Sequence, residues 1–456
     1  MTGFHGSAGT AVIPLQGPAL LWTDSRYWNE AGMQLDAACW TLQKQGLPAT
    51  PTIVKWLATQ AVEHYKVHGK PLKVAIDPYV HAASFQKELQ EAWDEAVATE
   101  FDDDEIQIGV LDTSHPNLID PIWGEQRPAI PQSPFRVHPL EYAGVSMPDK
   151  VTAIRKEMKE KKATLAVFCT LDDVAYLMNM RAKGDIDTCP VGIAYATVSA
   201  EAVTLYCDPV KVASAEVQEH LQSVTLKGYD EVVPDIAAHC QSTPSAKVWL
   251  DKSRANLALA SVIPKKSLVD AQNAVTPMKA CKNEAELEGI RRAHVVDGAA
   301  MAEFMAWLEH TIVNEGRAVS EVEIDEKLTG CRAKQPGFLE VSFPTIAGVG
   351  SNGAIVHYRA QEGNELMKFL DQENPILIDS GGQYTYGTTD VTRTWHFGDA
   401  SPDFIDMYTR VLKGNIGMDQ MIFPENTPGF VLDVYARRWL WDAGKDYGHG
   451  TGKCCC

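Results

Sequence analysis

Two aspartates, Asp379 and Asp390, stand in a segment whose residue types could hold a cation. The run Ile378-Asp379-Ser380-Gly381-Gly382, followed by Gly387-Thr388-Thr389-Asp390-Val391-Thr392-Arg393-Thr394, reads as two strands joined by a short turn rich in Gly, Tyr and Thr. Hairpin geometry brings the two carboxylates side by side. Like charges held close repel unless a proton or a cation lies between them, so such a pair suits half of a divalent metal site. Aspartate beside Gly and Ser is also ordinary turn chemistry, and the spacing alone leaves that alternative open.

The elements that must position this pair follow from patterning. The first region, to about residue 140, mixes β-type runs (Ala19 to Thr23, Leu72 to Ile76) with a helical stretch (Ile53 to Tyr65) and ends in a proline cluster, Pro128, Pro131, Pro134 and Pro139, as a linker would. A second α/β region begins with a charged helix, Lys150 to Lys162, and alternates strands at Thr164 to Thr170, Gly192 to Val198, Val203 to Cys207 and Lys247 to Asp251 with helices. Near residue 273 the texture changes. Asn283 with Glu286 makes a helix-starting box, and apolar residues recur to Glu309 on more than one face, so this helix belongs inside a domain. Ser320 and Glu323 repeat the capping signal. Strands are then expected at Val341 to Ala347, Ala354 to Tyr358, Ile376 to Asp379 and Thr388 to Phe397, and helices at Asp403 to Gly414 and Phe430 to Ala443. The expected division is 1–140, 141–272 and 273–456, α/β followed by α+β.

Composition narrows the function classes. The chain has 456 residues, 45% hydrophobic, enough for real cores. Lys and Arg number 41 against 60 for Asp and Glu, and the net charge of -19 repels phosphate backbones and anionic lipid, which excludes nucleic acid and membrane surfaces as expected partners. No apolar stretch approaches the roughly 18 residues a bilayer span needs. The ten cysteines comprise scattered single residues and the run Cys454 to Cys456, a pattern suited to a reducing compartment. A cytoplasmic location is expected.

Several further segments share one resemblance: Gly3-Phe4-His5-Gly6-Ser7-Ala8-Gly9-Thr10-Ala11, Leu21-Trp22-Thr23-Asp24-Ser25-Arg26-Tyr27, Leu171-Asp172-Asp173-Val174-Ala175-Tyr176-Leu177, Ser351-Asn352-Gly353-Ala354-Ile355-Val356-His357-Tyr358 and His449-Gly450-Thr451-Gly452. With the run from Asp379 to Thr394, they resemble in order the cytosolic aminopeptidase P branch of the pita-bread metallopeptidases. The resemblance implies two creatinase-type α/β domains followed by a pita-bread domain, and release of the N-terminal residue from Xaa-Pro peptides by a metal-activated water. It further implies two manganese ions and a homodimer. Residue by residue, Asp379 and Asp390 match metal ligands. His357 matches a histidine that contacts substrate near the scissile bond, and His449 one that assists substrate binding. Arg26 matches an arginine implicated in peptide binding, in some arrangements from the partner subunit. The ordinary alternatives are a solvent-facing strand histidine for His357 and an exposed turn charge for Arg26.

The family motif continues past His-Gly-Thr-Gly into a ligating histidine and later glutamates, whereas here Lys453 and Cys454 to Cys456 follow. The expectation is therefore a chain shortened at both ends and catalytically silent. Two other readings stay open: a non-catalytic remnant that at most dimerises, and a metal-independent creatinase-like hydrolase.

Overall fold

The computed structural model describes residues 2–103, 105–114, 117–243 and 245–451. By packing, the chain divides into Thr52–Gly289 and a second unit made of Met1–Pro51 with Ile290–Cys456.

The unit Thr52–Gly289 is built on a six-stranded sheet in the order Thr225–Lys227, Val203–Tyr206, Tyr195–Ser199, Leu165–Phe168, Val248–Leu250, Leu268–Asp270. Leu165–Phe168 is buried at every position, as a strand with both faces covered must be. The expected strands of this region all lie in this sheet with adjusted ends. The helix Met147–Glu160 starts earlier than Lys150, because the Ser146 hydroxyl accepts from Asp149 N at 3.3 Å and Pro148 suits a first turn. A parallel pair, Leu72–Ala75 with Gly109–Asp112, and the mutually packed helices Ile53–His68 and Ala83–Glu100 complete the unit.

In the other unit, the strand Ala19–Thr23 pairs antiparallel with Thr10–Val12 and parallel with Trp40–Lys44, and the helix Trp28–Gln34 follows it in sequence. The helix Glu284–Glu309, whose residues up to Gly289 belong to the first unit, opens on the expected box: Glu286 N donates to Asn283 Oδ1 at 3.0 Å and Asn283 N to Glu286 Oε2 at 2.9 Å. Its burial forms one stripe, Ala293, Asp297, Ala300, Met301, Phe304 and Leu308, rather than the two covered faces expected; Met305 and Trp307 only flank it. Ser320 caps the helix Glu321–Ala333 by accepting from Glu323 N at 3.1 Å, while the Glu323 carboxylate turns to Arg317 instead of closing a box.

Both helices contribute to a core shared with the antiparallel strands Ile346–Val349, Ile376–Ser380 and Val391–Trp395. A separate sheet joins Phe338–Val341, Gly382–Tyr384 and Gly387–Thr388. The single strand expected over Val341 to Ala347 is therefore two, broken at Ser342 where the chain passes from one sheet to the other. No strand forms at Ala354 to Tyr358. Ile355 N donates to Asn352 O and Tyr358 N to Ile355 O, so the backbone coils through successive turns. The helices Pro402–Asp419 and Gly429–Trp441 pack on each other after the last strand.

Candidate active site

Strand alternation places the first aspartate. Along Ile376–Ser380, Ile376, Ile378 and Ser380 are fully buried, so Leu377 and Asp379 project from the other face. Asp379 lies opposite Thr392 of one neighbouring strand and Ile346 of the other.

A close approach places the second aspartate. A Cβ on Gly381 would lie 1.9 Å from Thr389 O and 2.3 Å from Ser342 Oγ, so only glycine allows the chain to fold back here. Thr389 Oγ1 accepts from Gly382 N at 2.9 Å, Thr389 N donates to Gly382 O at 2.9 Å, and Ser342 Oγ donates to Thr389 O at 2.8 Å. Asp390, the next residue, is held beside Asp379 at the mouth of the hairpin, as expected. The connection is more than the short turn anticipated, since residues between them form the pair Gly382–Tyr384 and Gly387–Thr388.

The electrostatics disfavour ionising both carboxylates at once. Burial pushes the Asp379 carboxyl above its ordinary range; the adjacent Asp390 adds to this, while the Thr392 hydroxyl and the His449 charge oppose it. Asp379 Oδ1 is buried with no hydrogen-bond partner among the described residues. Asp390 is exposed.

His449 follows the helix Gly429–Trp441. Its carbonyl accepts from Arg437 Nη2 at 2.9 Å, and Arg437 is itself held by Asp433 and Asp446. His357 sits on the coiled segment rather than on a strand, half-buried, with Nδ1 hydrogen-bonded to the Tyr27 hydroxyl and its ring edge-on to Tyr27 at 4.8 Å. Burial, then the charges of Arg26 and His449, hold His357 below the usual imidazole range, with Asp24 opposing. Arg26 forms a two-pronged ion pair with Asp24, at 2.8 Å for both Nε–Oδ1 and Nη2–Oδ2, and lies over the Tyr27 ring at 5.2 Å. Arg26 is thus near His357 of its own chain.

A cation fits the pair: two carboxylates, one carrying an orphaned buried oxygen, are hard donors suited to a divalent ion such as manganese. Among the described residues, no group of three or more His, Cys, Asp or Glu could hold a metal ion. Lys453 and Cys454 to Cys456 lie outside the described residues.

Three supporting groups escaped the sequence reading. Tyr27 is fully buried against His357. Glu321, also fully buried, accepts from Val349 N at 2.7 Å, Asn352 Nδ2 at 2.9 Å, Tyr358 OH at 2.6 Å and Lys368 N at 2.9 Å, and so pins both ends of the segment that carries His357. Beneath Asp379, Arg332 pairs with Asp297 at 2.7 and 3.0 Å and donates to Ser380 Oγ at 3.1 Å. Of these only Asp297 left a sequence signal, a charge within an apolar helical stripe.

Comparisons with known proteins identify the relatives of this chain. The Creatinase/Prolidase N-terminal domain matches residues 1–105 and again 126–286, and Metallopeptidase family M24 matches residues 288–455. A probable Xaa-Pro aminopeptidase P of Talaromyces marneffei is 40% identical over 99% of this chain and 66% of its own length; one of Paracoccidioides lutzii is 39% identical over 99% and 71%. The crystal structure of X-prolyl aminopeptidase from Caenorhabditis elegans, described as a cytosolic enzyme with a di-nuclear active site, superposes with a TM-score of 0.89 at 32% identity, covering 99% of this chain and 71% of that one. These matches take in 99% of this chain but 66%, 71% and 71% of the three relatives' own lengths, so the chain spans about two thirds of the proteins it matches, and the expectation that it is silent finds no support in them. The identity of 39% and 32% to two Xaa-Pro aminopeptidases sets aside the metal-independent hydrolase. The fold is creatinase-type N-terminal domains with a pita-bread domain, and the chain belongs to the Xaa-Pro aminopeptidase P group of the M24 metallopeptidases.

Proposed function

We propose that this protein removes the N-terminal residue from peptides with proline in second position, using Asp379 and Asp390 as carboxylate donors to manganese. The observation that carries this reading is the buried, partnerless Asp379 Oδ1 beside a second carboxylate. When bound, a divalent ion supplies Lewis acidity at the Xaa-Pro carbonyl. His357 and His449 orient the peptide across the carboxylate pair, and the depressed proton affinity of His357 leaves its ring neutral, able to hydrogen-bond a carbonyl without adding charge. Arg26, with Asp24 holding its guanidinium, anchors the peptide. Proline lacks an amide hydrogen and fixes its own backbone, so a site shaped to it rejects ordinary peptides. A cytoplasmic homodimer with domains at 1–140, 141–272 and 273–456 belongs to the same proposal, and sedimentation and limited proteolysis test those parts.

The test is manganese-dependent hydrolysis of Ala-Pro-Pro against Ala-Ala-Pro, with Asp390→Ala as the blank. Equal rates on both peptides would sink the specificity.

A further inference from the structure

We infer that Tyr27 is a positioning residue for His357, donating its phenolic proton to Nδ1 and so keeping the imidazole in the tautomer that carries its proton on Nε2.

The Tyr27 ring is fully buried and has a built seat. Phe4 packs edge-on to it at 5.8 Å, and a Cβ on Gly6 would come within 2.6 Å of Tyr27 Cδ1, so Gly6 is what admits the ring. Tyr27 N donates to Asp24 O at 3.0 Å and Ala31 N to Tyr27 O at 2.8 Å, fixing the backbone at the start of the helix Trp28–Gln34. The segment Gly3 to Ser7, singled out by its sequence but given no role by the site residues, therefore serves as the cradle of Tyr27.

The Tyr27 hydroxyl meets Ser7 Oγ at 2.5 Å and His357 Nδ1. It has one proton to give and can accept from the other partner. A neutral imidazole nitrogen is a stronger acceptor than an alcohol oxygen, and a phenol is a stronger donor than an alcohol. The favoured polarity therefore runs from Ser7 to Tyr27 to His357. Neutral imidazole carries one N–H, so accepting at Nδ1 places it on Nε2. Nε2 has no hydrogen-bond partner among the described residues, and it becomes a donor for a peptide carbonyl.

The tautomer can be read by nitrogen chemical shifts of the 15N-histidine-labelled full chain, with His357→Gln assigning the ring. The expected wild-type signal is Nε2–H. Tyr27→Phe, which keeps the ring, should shift His357 toward Nδ1–H or a mixture, while Ser7→Ala should leave it at Nε2–H. A wild-type ring protonated on Nδ1, or an Nε2–H signal unchanged in Tyr27→Phe, overturns the inference. If Tyr27→Phe does not fold, the wild-type tautomer together with its survival or loss in Ser7→Ala decides. A second arm rests on the peptidase reading: affinity for an Ala-Pro peptide should fall about tenfold in Tyr27→Phe, the weight of one directed hydrogen bond. No peptide binding by either protein would defeat that reading while leaving the tautomer result to stand by itself.

Discussion

The two faces of one strand, Ile376–Ser380, treat charge in opposite ways. On the inner face Ser380 meets Arg332, whose guanidinium is paired through two nitrogens with Asp297, and Tyr384 OH donates to the same carboxylate at 2.8 Å. Opposite charges there are closed on one another, while Arg332 Nη1 lacks a hydrogen-bond partner among the described residues. On the outer face Asp379 stands beside another carboxylate, with one oxygen lacking a hydrogen-bond partner among the described residues. Burying a charge without a partner is costly, so a fold keeps it only where a ligand completes it or where nothing selects against it. The inner face explains how the outer one persists: the buried ion pair locks the strand from which Asp379 projects.

The strongest way to break this contrast is to open the inner face. Arg332→Met leaves Asp297 buried and unpaired and should lower unfolding free energy by about 3–5 kcal/mol, read by urea denaturation, with Asp297→Asn in addition restoring part of the loss. A cost near zero would mean that water already reaches the pair. Next comes Glu321, whose acceptors serve four groups that all donate. Glu321→Gln turns one oxygen into a donor facing donors, an expected loss of about 1–3 kcal/mol together with faster amide exchange over residues 350–358. Unchanged exchange there would show that the His357 segment is held by other contacts.

How much of this was legible in the sequence depends on the range of the interaction. Helix starts at Asn283 and Ser320 were readable because a cap and its target are three positions apart. The facing aspartates were readable because a hairpin is local. Tyr27 stands within a motif, but its role is not legible there because its partner His357 is 330 positions away. Glu321 gathers donors from Val349 to Lys368, which no periodicity records. The strand wrongly expected at Ala354 to Tyr358 has the same cause: its β-type residues are overruled by Asn352 and Tyr358 reaching back to Glu321.

On the outer face the signs reverse. Asp379→Asn removes a buried like charge, so the metal-free protein should be as stable or slightly more stable, by roughly 0.5 kcal/mol, in contrast to Arg332→Met. The same variant should abolish any rise in thermal midpoint that manganese produces in the wild type. Two equivalents by mass spectrometry would show that other groups complete the centre.

The smallest expected effect is a pH slope. His357 is held below the ordinary imidazole range by burial first, then by Arg26 and His449, with Asp24 opposing. A histidine whose folded pKa lies below its unfolded value of about 6.5 binds fewer protons when folded. Its contribution to stability is complete above that value and is lost as pH falls through the folded one. Glutamine at this position cannot titrate, so the stability difference between wild type and His357→Gln should move against the wild type as pH is lowered from about 8 to about 5. The groups facing the ring, Tyr27, Arg26, His449 and Asp24, are the same in both proteins, which isolates the imidazole itself. A difference flat across this range would mean that the ring takes up a proton as readily as in the unfolded chain. The contrast between the two faces would then rest on Asp379 alone.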